Sequence, residues 1–226
     1  MRKPVIDYRT FRFRRLNEPQ FSHLKYLLGW VGYFILYFLT ENLIPAENCH
    51  PVHCRLDDII PFNELFLIPY VFWYLLIVIS LLHFALYDPE NFKRLQIFII
   101  VTQVVAMAAY ILYPTRQDLR PEVFPRENLL TNGVAFLYAF DTNTGVCPSL
   151  HVAYSLGLAS VWLKAKDTSC WWRGFVVVAV VLICLSTMFI KQHSAVDVLM
   201  ALPLGVLAEC IAYGRSYWLS RLKRRS

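Results

Sequence analysis

Residues 171–197 read WWRGFVVVAVVLICLSTMFIKQHSAVD: an apolar run, Trp171–Ile190, stops abruptly at Lys191-Gln192-His193-Ser194-Ala195-Val196-Asp197. Such a run, wound as a helix, is about 30 Å long, the thickness of a bilayer's hydrocarbon core. Lipid cannot satisfy free backbone N–H and C=O groups, so a spanning run must be a helix unless it belongs to a closed barrel. The period-2 alternation of a barrel strand is missing. Outward from this stretch, similar runs occupy Lys25–Leu43, Pro61–His83, Phe92–Tyr113, Pro148–Leu163 and Ser194–Tyr213. The pattern predicts an all-α integral membrane protein, a six-helix bundle over residues 25–213. A basic arm, 1–24, precedes it and a basic tail, 214–226, follows. No internal repeat or linker divides it.

Composition agrees with that reading. Of 226 residues 57% are hydrophobic and 17% charged, with mean hydropathy +0.44; soluble domains carry roughly 25% charged residues. The net charge of +6 raises nucleic acid as a partner. The basic residues, however, collect at the chain ends and in loops, which fits membrane topology and argues against nucleic acid. Numbering the spans in order assigns 17 of the 22 Lys and Arg residues to one side and five to the other: Arg55, Arg116, Arg120, Arg126 and Lys191. The positive-inside rule then predicts cytoplasmic termini, a multi-pass protein of the cell membrane, and an extracytoplasmic Lys191–Asp197 segment. Asn128–Phe140, in the longest loop, is apolar enough for an interfacial helix.

Six cysteines are scattered. Cys49 and Cys54 flank two histidines in Cys49-His50-Pro51-Val52-His53-Cys54. A local disulfide on the oxidising side is the expected reading, because no second ligand pair follows at zinc-finger spacing; zinc is the alternative.

The chemistry-bearing residues sit where apolar runs meet polar loops. His193 and Asp197 are four apart, on one helical face. A carboxylate there can accept the Nδ1 proton and leave Nε2 as a nucleophile. Asp197 falls about one turn inside a span, where a carboxylate costs roughly 2.5–3.5 kcal/mol and calls for a partner. His151 follows Cys147-Pro148-Ser149-Leu150. Pro148 suits the first helical position, so the amides after it and the Ser149 hydroxyl are placed to hold phosphoryl oxygens. Arg116, Arg120 and Lys191 supply cations on the same side, and guanidinium forks match such oxygens. Each of these residues also has a plain structural reading, as a helix cap, a solvated loop cation or a snorkelling lysine.

Pro148-Ser149-Leu150-His151 and Ser186-Thr187 through His193 to Asp197 resemble the second and third signatures of the type-2 phosphatidic acid phosphatase superfamily. Tyr113-Pro114-Thr115 through Arg120-Pro121 resembles the first. The resemblance implies a lipid phosphatase. His193 would form a phosphohistidine, Asp197 would orient it, and His151 would protonate the departing oxygen and later activate the acceptor. Arg120 and Ser149 would hold the phosphoryl group, with no metal and no cofactor. Three positions depart from the pattern: Tyr113 stands for a lysine, Thr187 for an arginine and Leu150 for a glycine. The phosphate clamp is therefore short of two cations, with Arg116 and Lys191 as expected substitutes. These departures bring the chain closer to the branch with inositol phosphorylceramide synthase and sphingomyelin synthase, which passes a headgroup between lipids. Asp58 and Ile60-Pro61-Phe62 are also similar to that branch. The alternative from another class is a non-catalytic transporter, with Glu64, His83 and Asp197 as its intramembrane pathway.

Overall fold

The computed structural model describes residues 4–219. Arg2, Lys3, Arg221, Lys223, Arg224 and Arg225, on which part of the charge count rests, lie outside them. Among the described residues eight α-helices follow in order. They are α1 (Leu28–Leu43), α2 (Arg55–Ile59), α3 (Leu67–Tyr87), α4 (Pro89–Leu112), α5 (Leu129–Phe140), α6 (Leu150–Lys164), α7 (Cys170–Phe189) and α8 (Ala195–Tyr213). The expected helix after Asn128 is α5, with the Asn128 side chain accepting from the amides of Leu130 and Thr131 as its N-cap.

Helices α1, α3, α4, α6, α7 and α8 correspond to the six apolar runs, but four segments are long and apolar enough to cross a membrane. These are α4, α7, α8, and α3 with the 3₁₀ turn before it. Helices α1 and α6 have only 16 and 15 residues, about 24 and 22 Å of length. A 3₁₀ stretch, Ser22–Leu27, leads into α1. Helix α6 is short because its cap, Ser149, lies fully buried inside the bundle. The second run also begins later than its hydropathy suggests. Pro61 to Asn63 form no helix, and Asn63 caps a 3₁₀ turn at Glu64–Phe66. Asp88 ends α3 and caps α4, with Pro89 at the first helical position.

Helix α6 is the axis of the bundle, in contact with α3, α4, α7 and α8. Its Tyr154, Leu158, Val161 and Trp162 are buried in one core with Trp73, Leu76 and Phe84 of α3 and Leu95 and Ile99 of α4. Between helices in lipid, close backbone approach substitutes for the hydrophobic effect. Gly157 permits it here: the Phe98 ring of α4 lies 2.7 Å from where a Cβ would stand.

At one end of the bundle the arm is folded down onto the helices. Val5 N donates to Leu86 O, Tyr8 Oη donates to Ala85 O and pairs with His23 Nε2, and Phe21 is fully buried. At the opposite end the α1–α2, α4–α5, α5–α6 and α7–α8 connections gather. Two short strands, β1 (His50–Pro51) and β2 (Thr115–Arg116), pair in parallel there. That pairing overturns the disulfide expectation: extended backbone carries Cys49 and Cys54 apart. Both are free thiols. Cys49 is buried against Pro45 O, and Cys54 caps α2. Among the described residues no group of three His, Cys, Asp or Glu could hold a metal ion.

Candidate active site

The turn between α7 and α8 positions His193. Helix α7 closes with the amides of Gln192 and His193 both bonded to Thr187 O, and Lys191 takes a left-handed conformation (φ 55°) that reverses the chain. Ser194 then caps α8 through Val196 N, while the Asp197 carboxylate reaches back to Ser194 N at 2.9 Å. This is a capping box. The same oxygen, Oδ2, lies 3.2 Å from His193 Nδ1. One side chain therefore caps the helix and orients the imidazole, and Asp197 is completely buried.

His151 sits in the first turn of α6, two positions nearer the helix start than a Pro148 start implies, because the helix begins at Leu150. The cap is Ser149, whose hydroxyl accepts from Val152 N and whose amide donates to Asp197 O at 3.1 Å. That amide bond locks the start of α6 onto α8. The His151 ring stacks on Tyr70 (centroids 4.6 Å apart) and packs at a tilt against Trp73 (4.2 Å), and its centroid is 6.0 Å from that of His193. Both imidazoles line one cavity of about 330 Å³. Its walls are aromatic: Trp30, Tyr33 and Tyr37 of α1, Trp73 and Tyr74 of α3, Tyr110 of α4 and Tyr154 of α6. Its outer rim includes Phe34, Tyr74 and Val78, all exposed on the apolar flank of the bundle.

The three catalytic candidates are thus brought together, whereas none of the four phosphate-binding candidates lines the cavity. Lys191 is a strap: Nζ donates to Asp57 O at 2.9 Å and to Ile60 O at 2.6 Å. Burial lowers its pKa, offset in part by the Asp57 charge. Arg116 pairs with Asp118 and donates to Ala46 O, outside the cavity. Ser149 is used up as a helix cap. Arg120 comes nearest, yet its guanidinium binds the carbonyls of Tyr138, Asp141 and Thr142 and the Gln192 side-chain oxygen, and stacks on the Tyr138 ring. These cations lie among free backbone carbonyls of irregular loops, which capture them as caps do. Arg120→Lys keeps the charge and loses the fork. The expected result is about 2 kcal/mol of destabilisation, a thermal midpoint lower by roughly 4–8 °C. A phosphate clamp would instead lose substrate affinity with an unchanged midpoint.

Sequence reading missed three residues. Asp141 lines the cavity beside the histidines, its carboxylate accepting from Tyr37 Oη (3.0 Å) and Gln192 Nε2 (3.3 Å). Burial raises its pKa, opposed by the Tyr37 bond and by His193 and Arg120. Gln192 joins Arg120 to Asp141. Asp57 lies under the α7–α8 turn and accepts from Ser194 Oγ (2.6 Å), Ala195 N (2.8 Å) and Cys54 N (2.8 Å). Burial alone would raise its pKa, but these donors hold it below the ordinary carboxylate value. Its neighbour Asp58, singled out from the sequence, instead pairs with His53 on the surface. Glu64 and His83, the candidates for a pathway, lie apart from the cavity. Glu64 accepts from Asn128 and pairs with Arg126, while the His83 ring packs on Trp162.

Comparison with protein-family models, curated proteins and solved structures finds no match to this chain.

Proposed function

We propose that this chain is a membrane enzyme of the type-2 phosphatidic acid phosphatase superfamily. It would remove a phosphoryl group from a lipid phosphate or pyrophosphate through a phosphohistidine. The observation that carries the reading is the convergence of His193, held by Asp197, and His151 on one aromatic cavity that opens on an apolar flank. Soluble phosphate esters have no need of such an opening.

In this reading His193 Nε2 attacks phosphorus and the bond to the leaving oxygen breaks. His151, as imidazolium, gives that oxygen its proton. His151 then takes a proton from water, which attacks phosphorus, breaks the P–N bond and frees phosphate. Asp197 keeps the Nδ1 proton of His193 in place throughout. Negative charge on the transferring group meets the N-terminal turn of α6, where Leu150 and His151 line the cavity. Arg120 adds positive potential from behind Gln192. The protein would be multi-pass in the cell membrane with six spans, the short α1 and α6 included. The charge count supports cytoplasmic termini and an extracytoplasmic site.

One observation favours a second reading. Among the described residues no lysine or arginine lines the cavity, and a singly charged phosphodiester demands less positive charge than a doubly charged monoester. The enzyme would then move a phospho-headgroup between lipids. The test is phosphate release by the purified chain from a phosphatidic acid and a prenyl pyrophosphate in EDTA, with radiolabel followed into protein. Release with label held by the protein is expected. Activity that vanishes in EDTA and returns with a metal overturns the phosphohistidine reading. Headgroup transfer from a phosphodiester to an added lipid alcohol, without phosphate release, selects the second.

A further inference from the structure

At the end of the bundle that carries the arm, a groove of about 380 Å³ runs between the 3₁₀ stretch Ser22–Leu27 and α4. Ser22, His23, Lys25, Tyr26, Lys93 and Ile100 line it. Four other cations of this end are already claimed: Arg9, Arg15, Arg94 and Lys164 pair with Asp7, Glu18, Glu90 and Glu209 in turn. Lys25 and Lys93 have no carboxylate partner among the described residues. Lys93 Nζ rests 5.8 Å from the centre of the Tyr26 ring, which keeps it over the groove. Two ammonium groups that share one concave surface without a counter-charge attract an anion.

Beneath the ammonium groups the surface turns apolar. Lys93, Ile100 and Val104 lie at i, i+7 and i+11, on one stripe of α4. Ile100 stands about 10 Å further along the helix than Lys93, and Val104 about 16 Å. Val104 is 63% exposed on the apolar flank. A soluble anion has no use for that stripe, whereas a lipid fits both parts. The geometry points to the groove as a binding site for a phospholipid with a net negative headgroup, its phosphate between Lys25 and Lys93 and its chains along Ile100 and Val104. A lipid seated there ties the entry of α1 to α4. Helix α1 has no buried residue of its own, yet its Trp30, Tyr33 and Tyr37 form one wall of the histidine cavity. Binding at the far end of the bundle thus steadies that wall, whatever reaction the histidines perform.

The test is titration of phosphatidylglycerol, and of phosphatidylcholine with the same acyl chains, into the full chain in neutral detergent. Phosphatidylglycerol is expected to bind at least fivefold more tightly. Lys25→Gln and Lys93→Gln should each weaken it about fivefold, leaving phosphatidylcholine affinity and the thermal midpoint in detergent alone unchanged. Lys25→Arg and Lys93→Arg keep the charge and should bind as the unsubstituted chain does. Arg14 also lacks a carboxylate partner among the described residues but lies outside the groove, and Arg14→Gln should change neither affinity. Equal affinities for the two lipids overturn the inference. So does an Arg14→Gln loss as large as that of the lysine variants, which would mean diffuse attraction to the arm. Displacement of the lipid by comparable concentrations of soluble glycerophosphoglycerol would make the ligand a free anion and overturn it equally.

Discussion

His193→Ala is expected to abolish the proposed phosphoryl removal, and Asp197→Asn to lower it by about two to three orders of magnitude, while both proteins fold. The two oxygens of Asp197 are unequally used. Oδ2 serves both His193 Nδ1 and Ser194 N, whereas Oδ1 has no partner among the described residues. An asparagine can still cap α8 with its one oxygen, so the helix start survives. With that oxygen in the place of Oδ2 it also still accepts from His193 Nδ1, but it carries no charge. The imidazole then loses the negative charge that stabilises the positive ring formed as Nε2 attacks phosphorus. Turnover and thermal midpoint, measured on the same preparations, separate the two effects. Turnover of Asp197→Asn within tenfold of the unsubstituted chain would show that the pair is only a helix cap.

The second large effect is structural. Asp57→Ala should destabilise the protein by about 3–5 kcal/mol, because it strands buried donors from three places: the Ser194 hydroxyl, Ala195 N and Cys54 N. The expected readout is a thermal midpoint lower by roughly 6–20 °C, with loss of activity following loss of fold. The carboxylate's stabilisation also has a pH dependence. Its folded pKa lies below the ordinary value, so the contribution is complete above about pH 4 and is lost as pH falls through the folded value. Asp57→Asn retains one acceptor oxygen and should cost less. An Asp57→Ala protein with an unchanged midpoint would mean that α2 does not anchor the α7–α8 turn.

Much of this molecule is legible in its sequence because hydropathy acts at the length of a whole helix. Each of the six long helices falls on its apolar run, and α5 appears where Asn128 supplies a cap. The pairing of His193 with Asp197 is likewise local, set by one turn of helix. Ser194-x-x-Asp197 is itself a capping-box pattern, a second use of the same carboxylate that the sequence also carries. The cations illustrate the opposite case. Arg116, Arg120 and Lys191 have the charge a phosphate needs, yet the acceptors that claim them belong to segments distant along the chain. Lys191 Nζ binds carbonyls more than 130 positions away. No spacing rule reports that.

Sequence alone therefore determined the all-α apolar architecture and the pairing of His193 with Asp197, since both follow from periodicities of 3.6 residues within continuous segments. Tertiary structure decided which charges face the cavity. It turned three cations toward loop carbonyls, set Asp141 beside the histidines and placed Asp57 beneath the α7–α8 turn. The physical reason is that a long charged side chain goes to the nearest unsatisfied backbone group, and nearness across the bundle exists only once the helices have packed.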